Sequence, residues 1–197
     1  MDILKQAEEF AREIFAGDAS GHDMDHTLRV LRMARYIARE EGADLKTVQL
    51  AALLHDVDDR KISPDTCETL GRAREFLCSH HVEKEQVDHI LQIIASISFS
   101  SGGKPATLEG KCVQDADRLD AMGAVGIARA FAYGGSRDRR MHDPQGKTEG
   151  TTISHFYEKL LRLKDLMNTE TGRAMAHERH GFMEQFLNVF YEEWNGI

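Results

Sequence analysis

Residues 45–61 read LKTVQLAALLHDVDDRK, an apolar run that stops on His55 and passes at once into Asp56, Asp58 and Asp59. Asp44 stands where a capping residue would accept the amide hydrogens of a first helical turn, so the spacing predicts a helix that begins after it. Leu50, Ala51, Ala52, Leu53 and Leu54 leave that helix no polar face, which makes it a buried element. A buried helix ending on an imidazole and several carboxylates needs an explanation, because an isolated ionised carboxylate cannot be taken out of water cheaply.

The rest of the chain sets the context. Its 197 residues suit one domain covering 1–197 with a sizeable core. Hydrophobic residues at 41%, charged residues at 29% and only three prolines argue against disorder and favour helices. A net charge of -8 excludes the cationic surface on which nonspecific nucleic-acid or anionic-membrane binding depends. The amino terminus, MDILKQAEEFAREIF, mixes acids into its apolar pattern and is unlike a signal peptide, and no run reaches the length of a membrane span. Cys67, Cys78 and Cys112 are widely spaced and form no C-x-x-C pair, as expected of reduced thiols in a cytoplasmic protein.

Helical periodicity recurs along the chain. Ile3, Leu4, Ala7, Phe10, Ala11 and Ile14 form one stripe, and Leu28, Leu31, Ala34, Ile37 and Ala38 another, which Gly42 closes. Pro64 suits a first helical turn. Further helices are predicted over 83–95 and over 108–120, the latter running on toward Gly134 and Gly135. After the polar stretch GGSRDRRMHDPQGKTEG, two more are predicted, at 152–167 and 171–194. Strand-like alternation is nowhere sustained, so the fold class is all-α. SFSSGGKP at 98–105 departs from a phosphate-binding loop at Ser98 and at Pro105.

Three places hold the chemistry. HDMDHTLRV puts His26 at the start of an amphipathic helix with Arg29 one turn later on the same face. His55 and Asp56 end the buried helix. QDADRLDAMG carries Asp117 and Asp120 among Val113, Ala116, Leu119 and Ala121, where an acid must be paired or ligate a metal. Together they offer two imidazoles and two carboxylates: His26, His55, Asp56 and Asp117. His22-Asp23 is a competing doublet, but it follows a polar turn, and Asp23 or Asp25 can instead cap the helix.

A histidine, a histidine–aspartate doublet and a distant aspartate, in that order, resemble the HD superfamily of metal-dependent phosphohydrolases. HTLRV, AALLHDVDD, IIASISFSSGG, DADRLDAMGAVGIARAFAYGG and FMEQFLNVFYEEW are similar to its short, single-domain bacterial members, so the likeness runs over nearly the whole chain. The resemblance implies a compact helical bundle around one metal site and hydrolysis of a phosphoester or phosphoanhydride. It also implies a small phosphorylated substrate, a nucleotide above all, split as a triphosphate or dephosphorylated as a monophosphate.

A mixed shell of this kind suits one divalent ion, Mn, Mg, Ni, Co, Fe or Zn. By its position after the doublet, Asp59 is the expected catalytic group that orients or deprotonates water, with pairing to Arg60 or Lys61 as the alternative; Asp58 is expected to be a solvated acid. Arg29, Lys61, Lys104 and Arg118 are candidate phosphate contacts, and the Gly134–Lys147 stretch a candidate lid. His80, His81 and His89 would matter in a rival reading, a cyclic or signalling nucleotide phosphodiesterase with two metals. A non-catalytic metal-bearing sensor is the other rival. Exposed faces of the terminal helices could pair two subunits into a homo-oligomer.

Overall fold

The computed structural model describes residues 2–16, 23–97 and 103–197. Among them the chain is all-α, as its periodicity predicts. It falls into two compact units, Met1–Ala116 and Asp117–Ile197. His22 and residues 98–102, which include most of the SFSSGG stretch, lie outside the described residues.

The first unit holds α1 (Ile3–Ile14), α2 (Met24–Glu41), α3 (Leu45–Leu54), α4 (Gly71–Ser79), α5 (Lys84–Ile97) and the first part of α6 (Leu108–Asp120). Its centre is α3. Asp44 caps it by accepting the Thr47 amide hydrogen at 2.7 Å, and Val48 and every residue from Leu50 to Leu54 are buried. Helices α1, α2 and α5 pack around it. Val30, Ala34, Ile37 and Ala38 come from α2, and Ile90, Leu91, Ile93 and Ile94 from α5. A helix surrounded in this way can meet polar chemistry only at its ends, and its end is His55. Helix α2 closes at Gly42, whose φ of 77° is the left-handed conformation that glycine adopts without steric cost.

Two local expectations are corrected here. Pro64 does not open a helix; residues 60–62 and 64–70 are turns, with the Ser63 hydroxyl donating to the Val57 carbonyl at 2.8 Å. Asp58 is not a solvated acid. It is 4% exposed, and its carboxylate accepts from the Arg72 amide at 3.1 Å, the Ala73 amide at 2.9 Å and the Thr66 hydroxyl. Arg72 and Ala73 are in the first turn of α4, where amide hydrogens lack partners within the helix, so Asp58 caps α4 from a distant point in sequence.

The second unit continues α6 and adds α7 (Gly123–Ser136), α8 (Thr152–Glu158), a 3₁₀ helix (Leu160–Leu166) and α9 (Glu170–Asn195). Helix α9 packs on α7 and on the 3₁₀ helix, around Ile153, Phe156, Leu160, Leu163, Met183 and Leu187. The helix predicted over 152–167 is thus two elements, broken where Lys159 leaves helical geometry at φ -133° and ψ -59°. Gly134 and Gly135 do not end α7 but lie inside it. A Cβ on Gly134 would come within 2.3 Å of the Thr152 hydroxyl oxygen, so the absent side chain is what lets α8 approach. Among the described residues no helix is long and apolar enough to cross a membrane.

Candidate metal centre

Two helix ends supply the candidate ligands that meet. Asp23 caps α2, accepting the His26 amide hydrogen at 2.7 Å, and this places His26 in the first turn with its ring buried at 3% exposure. His55 is the carboxyl-terminal cap of α3, and Asp56 follows it into the turn. The His26 and His55 rings meet edge to face with centroids 5.3 Å apart.

Their donor atoms converge. His26 Nε2 and His55 Nε2 are 3.3 Å apart, and Asp56 Oδ2 lies 3.4 Å from the first and 3.1 Å from the second. Atoms held about 2.0–2.2 Å from one ion stand roughly 2.8–3.6 Å apart in neighbouring tetrahedral or octahedral positions. All three separations fall inside that interval. The tautomer also suits a ligand. His55 Nδ1 is 2.8 Å from the Ala52 carbonyl oxygen, which can only accept, so Nδ1 carries the hydrogen and Nε2 turns a lone pair toward the shared point. Two imidazole nitrogens and a carboxylate oxygen around one point make a donor set that fits a divalent ion.

The other predicted residues are placed as follows. Asp117 stands on α6 immediately after Ala116, half-buried, and is the first residue of the second unit. Asp59 lies one turn beyond Asp56, its amide donating to the Asp56 carbonyl at 2.9 Å, and its Oδ1 accepts the Lys61 amide hydrogen at 2.9 Å. Arg60 reaches Glu68 at 3.8 Å. Arg29 is half-buried on α2, while Lys61 and Lys104 are exposed. Arg118 donates from Nη1 to the Leu166 carbonyl oxygen.

Two histidines of the two-metal rival, His80 and His89, have local contacts. The His80 ring stacks on Phe76 at 4.2 Å and its Nδ1 lies 2.8 Å from the Phe76 carbonyl, and His89 Nε2 is 3.8 Å from Glu109.

Sequence reasoning passed over two buried residues of α6, Gln114 and Asp115. Gln114 Nε2 donates to the Ser96 carbonyl at 3.2 Å and to the Gly103 carbonyl at 3.0 Å, tying together the residues on either side of 98–102. The signal available was the polar run Gln114, Asp115 and Asp117, interrupted only by Ala116. Asp120, 1% exposed, is ion-paired with Arg129, which settles its burial inside the second unit.

Residues 24–122 match the family model described as HD domain. The chain belongs to the HD domain family. HD domains bind divalent metals, and the His26, His55 and Asp56 group is one that could hold such an ion. The chain is 44% identical to the uncharacterised protein YpgQ of Bacillus subtilis (strain 168), over 100% of this chain and 98% of that protein. It is also similar to the crystal structure of an HD-superfamily hydrolase from Bacillus thuringiensis, with 44% identity, a TM-score of 0.82, and coverage of 98% and 97% of the two chains. The crystal structure of Bacillus subtilis YpgQ in complex with ADP matches with a TM-score of 0.83 at 38% identity, over 98% of each chain.

Proposed function

We propose that the chain is a divalent-metal-dependent phosphohydrolase acting on a nucleotide, with the whole chain working as one HD-type domain. The observation that carries this reading is the convergence of His26 Nε2, His55 Nε2 and Asp56 Oδ2 within 3.1–3.4 Å of one another. Two imidazoles and a carboxylate aimed at one point suit a cation site, because a cation relieves the repulsion of lone pairs turned toward one another. Asp117 is proposed as the fourth ligand, a carboxylate set on the same uninterrupted helix as the buried Val113 and Ala116.

When bound, a divalent ion supplies positive charge that polarises a phosphoryl group and lowers the pKa of water. The chain's own residues do the rest. Asp59, steadied through one oxygen by the Lys61 amide, is the proposed acceptor of a proton from the attacking water. Arg29, Lys61 and Lys104 are proposed to answer the negative charge of the phosphates, with Arg29 suited to a two-point grip. Arg118 is proposed to hold phosphate while its Nη1 stays on the Leu166 carbonyl. The nucleotide assignment is supported by the ADP held by the related YpgQ. A cytoplasmic location fits three unpaired thiols.

The test is release of phosphate and of pyrophosphate from nucleoside mono-, di- and triphosphates and cyclic nucleotides. Metal-stripped protein is supplied in turn with Mn²⁺, Mg²⁺, Ni²⁺, Co²⁺, Fe²⁺ or Zn²⁺, beside His55→Ala and Asp56→Ala. Metal-dependent turnover that both substitutions abolish is the expected result. Tight metal binding without turnover on any of these substrates would sink the nucleotide reading.

A further inference from the structure

A ligand that follows the end of a helix cannot rely on that helix alone to hold it. The ladder of α3 fixes residues as far as Leu54, and the His55 ring is held through Nδ1 on the Ala52 carbonyl. Asp56 comes next, in a run of turns from His55 to Asp58, yet its carboxylate stands 3.1–3.4 Å from two imidazole nitrogens. A carboxylate is kept at a shared point only when the backbone on both of its sides is held. His55 is the anchor on the helix side.

The anchor on the far side is Asp58. Val57 and Asp58 are both buried, and the Val57 carbonyl accepts the Ser63 hydroxyl at 2.8 Å. The Asp58 carboxylate uses both oxygens: Oδ1 accepts from the Arg72 amide at 3.1 Å and from the Thr66 hydroxyl, and Oδ2 from the Ala73 amide at 2.9 Å. The two amides lie 14 and 15 residues further along the chain, so these bonds tie the turn that carries Asp56 to a different helix.

Helix α4 is shaped to receive that carboxylate. The residue at its own cap position is Leu70, in left-handed geometry at φ 51° and ψ 44°, with no side-chain bond to the helix amides. Leucine offers those amides no oxygen, and its Cβ disfavours that conformation. Gly71 lets Thr66 approach, since a Cβ there would stand 3.2 Å from the Thr66 Cβ and Cγ2. The first amides of α4 are thus left to an acceptor from elsewhere, and the acceptor they find stands two residues beyond a candidate metal ligand.

We propose that Asp58 is a positioning residue for the metal centre. By fastening the turn after His55 to the first amides of α4, it holds the Asp56 carboxylate where the two imidazoles meet it. This role rests on the metal-binding part of the function proposed above, and adds that affinity for the ion depends on a group that is not itself a ligand. Otherwise Asp58 would serve α4 alone, and its loss would loosen α4 without changing the grip on the ion.

Calorimetric titration of the metal-stripped full chain with Mn²⁺, with hydrogen exchange over 71–79 measured beside it, separates the two roles. Asp58→Ala is expected to weaken the Kd for Mn²⁺ by about tenfold or more. Leu70→Gly puts at the cap the residue that tolerates left-handed geometry, and is expected to bind Mn²⁺ as wild type does. Combined with Asp58→Ala it is expected to return protection to 71–79, while Mn²⁺ binding stays about tenfold weaker because mending α4 does not refasten the turn. A combined variant that regains both protection and wild-type affinity would overturn the role. Where the combined variant leaves 71–79 unprotected, Asp58→Asn decides, since it keeps one acceptor oxygen of the two. A Kd weakened about threefold or more then supports the role, and wild-type affinity overturns it. Wild type that binds no Mn²⁺ would sink the metal reading and this role with it, an outcome that the wild-type titration alone tells apart from the others.

Discussion

The end of α3 and the junction of α6 with α7 both place carboxylates among apolar helices, and they settle the cost differently. Asp120 is matched by a cation from its own chain, Arg129, and the pair needs nothing from outside. Asp56 faces two imidazoles, one of which already spends its hydrogen on the Ala52 carbonyl. Asp58, two residues further on, takes a third course and is satisfied by amides and a hydroxyl. The difference teaches how to read a buried acid: one met by a guanidinium or by amides is structural, and one met by two imidazoles is a candidate for holding an external cation.

That contrast can be broken most severely at Arg129. Arg129→Met leaves Asp120 buried and uncompensated and is expected to cost about 3–5 kcal/mol, measured by urea unfolding. Asp120→Asn together with Arg129→Met should recover most of it. At the metal centre the sign reverses. Mn²⁺ at one hundred times its Kd is expected to raise the stability of stripped protein by about 2.7 kcal/mol. Thermal melts of His26→Ala, His55→Ala and Asp56→Ala should show no such gain, and Asp120→Asn should retain it. If Asp120→Asn alone lost the gain, the contrast would collapse.

Asp58→Ala is expected to cost about 2 kcal/mol by removing the acceptor for the first amides of α4, and Asp58→Asn less. Hydrogen exchange should localise the loss to 71–79. The smallest effect is at Asp44, whose side-chain and backbone hydrogen bonds to Thr47 lower its pKa from the ordinary 3.8. A depressed carboxylate stabilises the fold above its ordinary pKa and ceases to do so as pH falls through the lowered value. Asp44→Ala should therefore cost about 1 kcal/mol near neutrality, and its melting curve should converge with that of wild type as pH falls through the lowered pKa of Asp44.

Much of this was legible in the sequence where local signals agreed. Asp44, the apolar run to Leu54 and Gly42 mark α2 and α3 correctly, because caps and periodicity act over a single turn. Of the four residues singled out as candidate ligands, His26, His55 and Asp56 do meet, and they were legible as candidates because a buried helix that ends in polar groups draws attention. Asp58 was not, since the donors that bury it come from Arg72 and Ala73, across a stretch of turns that periodicity does not describe. Gly134 was read as a stop because glycine usually is one. Its reason lies in Thr152, a residue of another helix, and no local rule could supply it. The break between α8 and the 3₁₀ helix carried no proline or glycine to announce it.

The three cysteines differ in a way that makes the first unit its own reporter. Cys78 is exposed and Cys67 half-buried, whereas Cys112 lies inside α6 with its thiol pushed up to about 12 by burial and then by Glu41, Asp115 and Glu109. A thiol reagent should modify Cys78 quickly and Cys67 more slowly, and should find Cys112 only when α6 opens. The time at which the third adduct forms is then an intrinsic clock for the opening of the first unit.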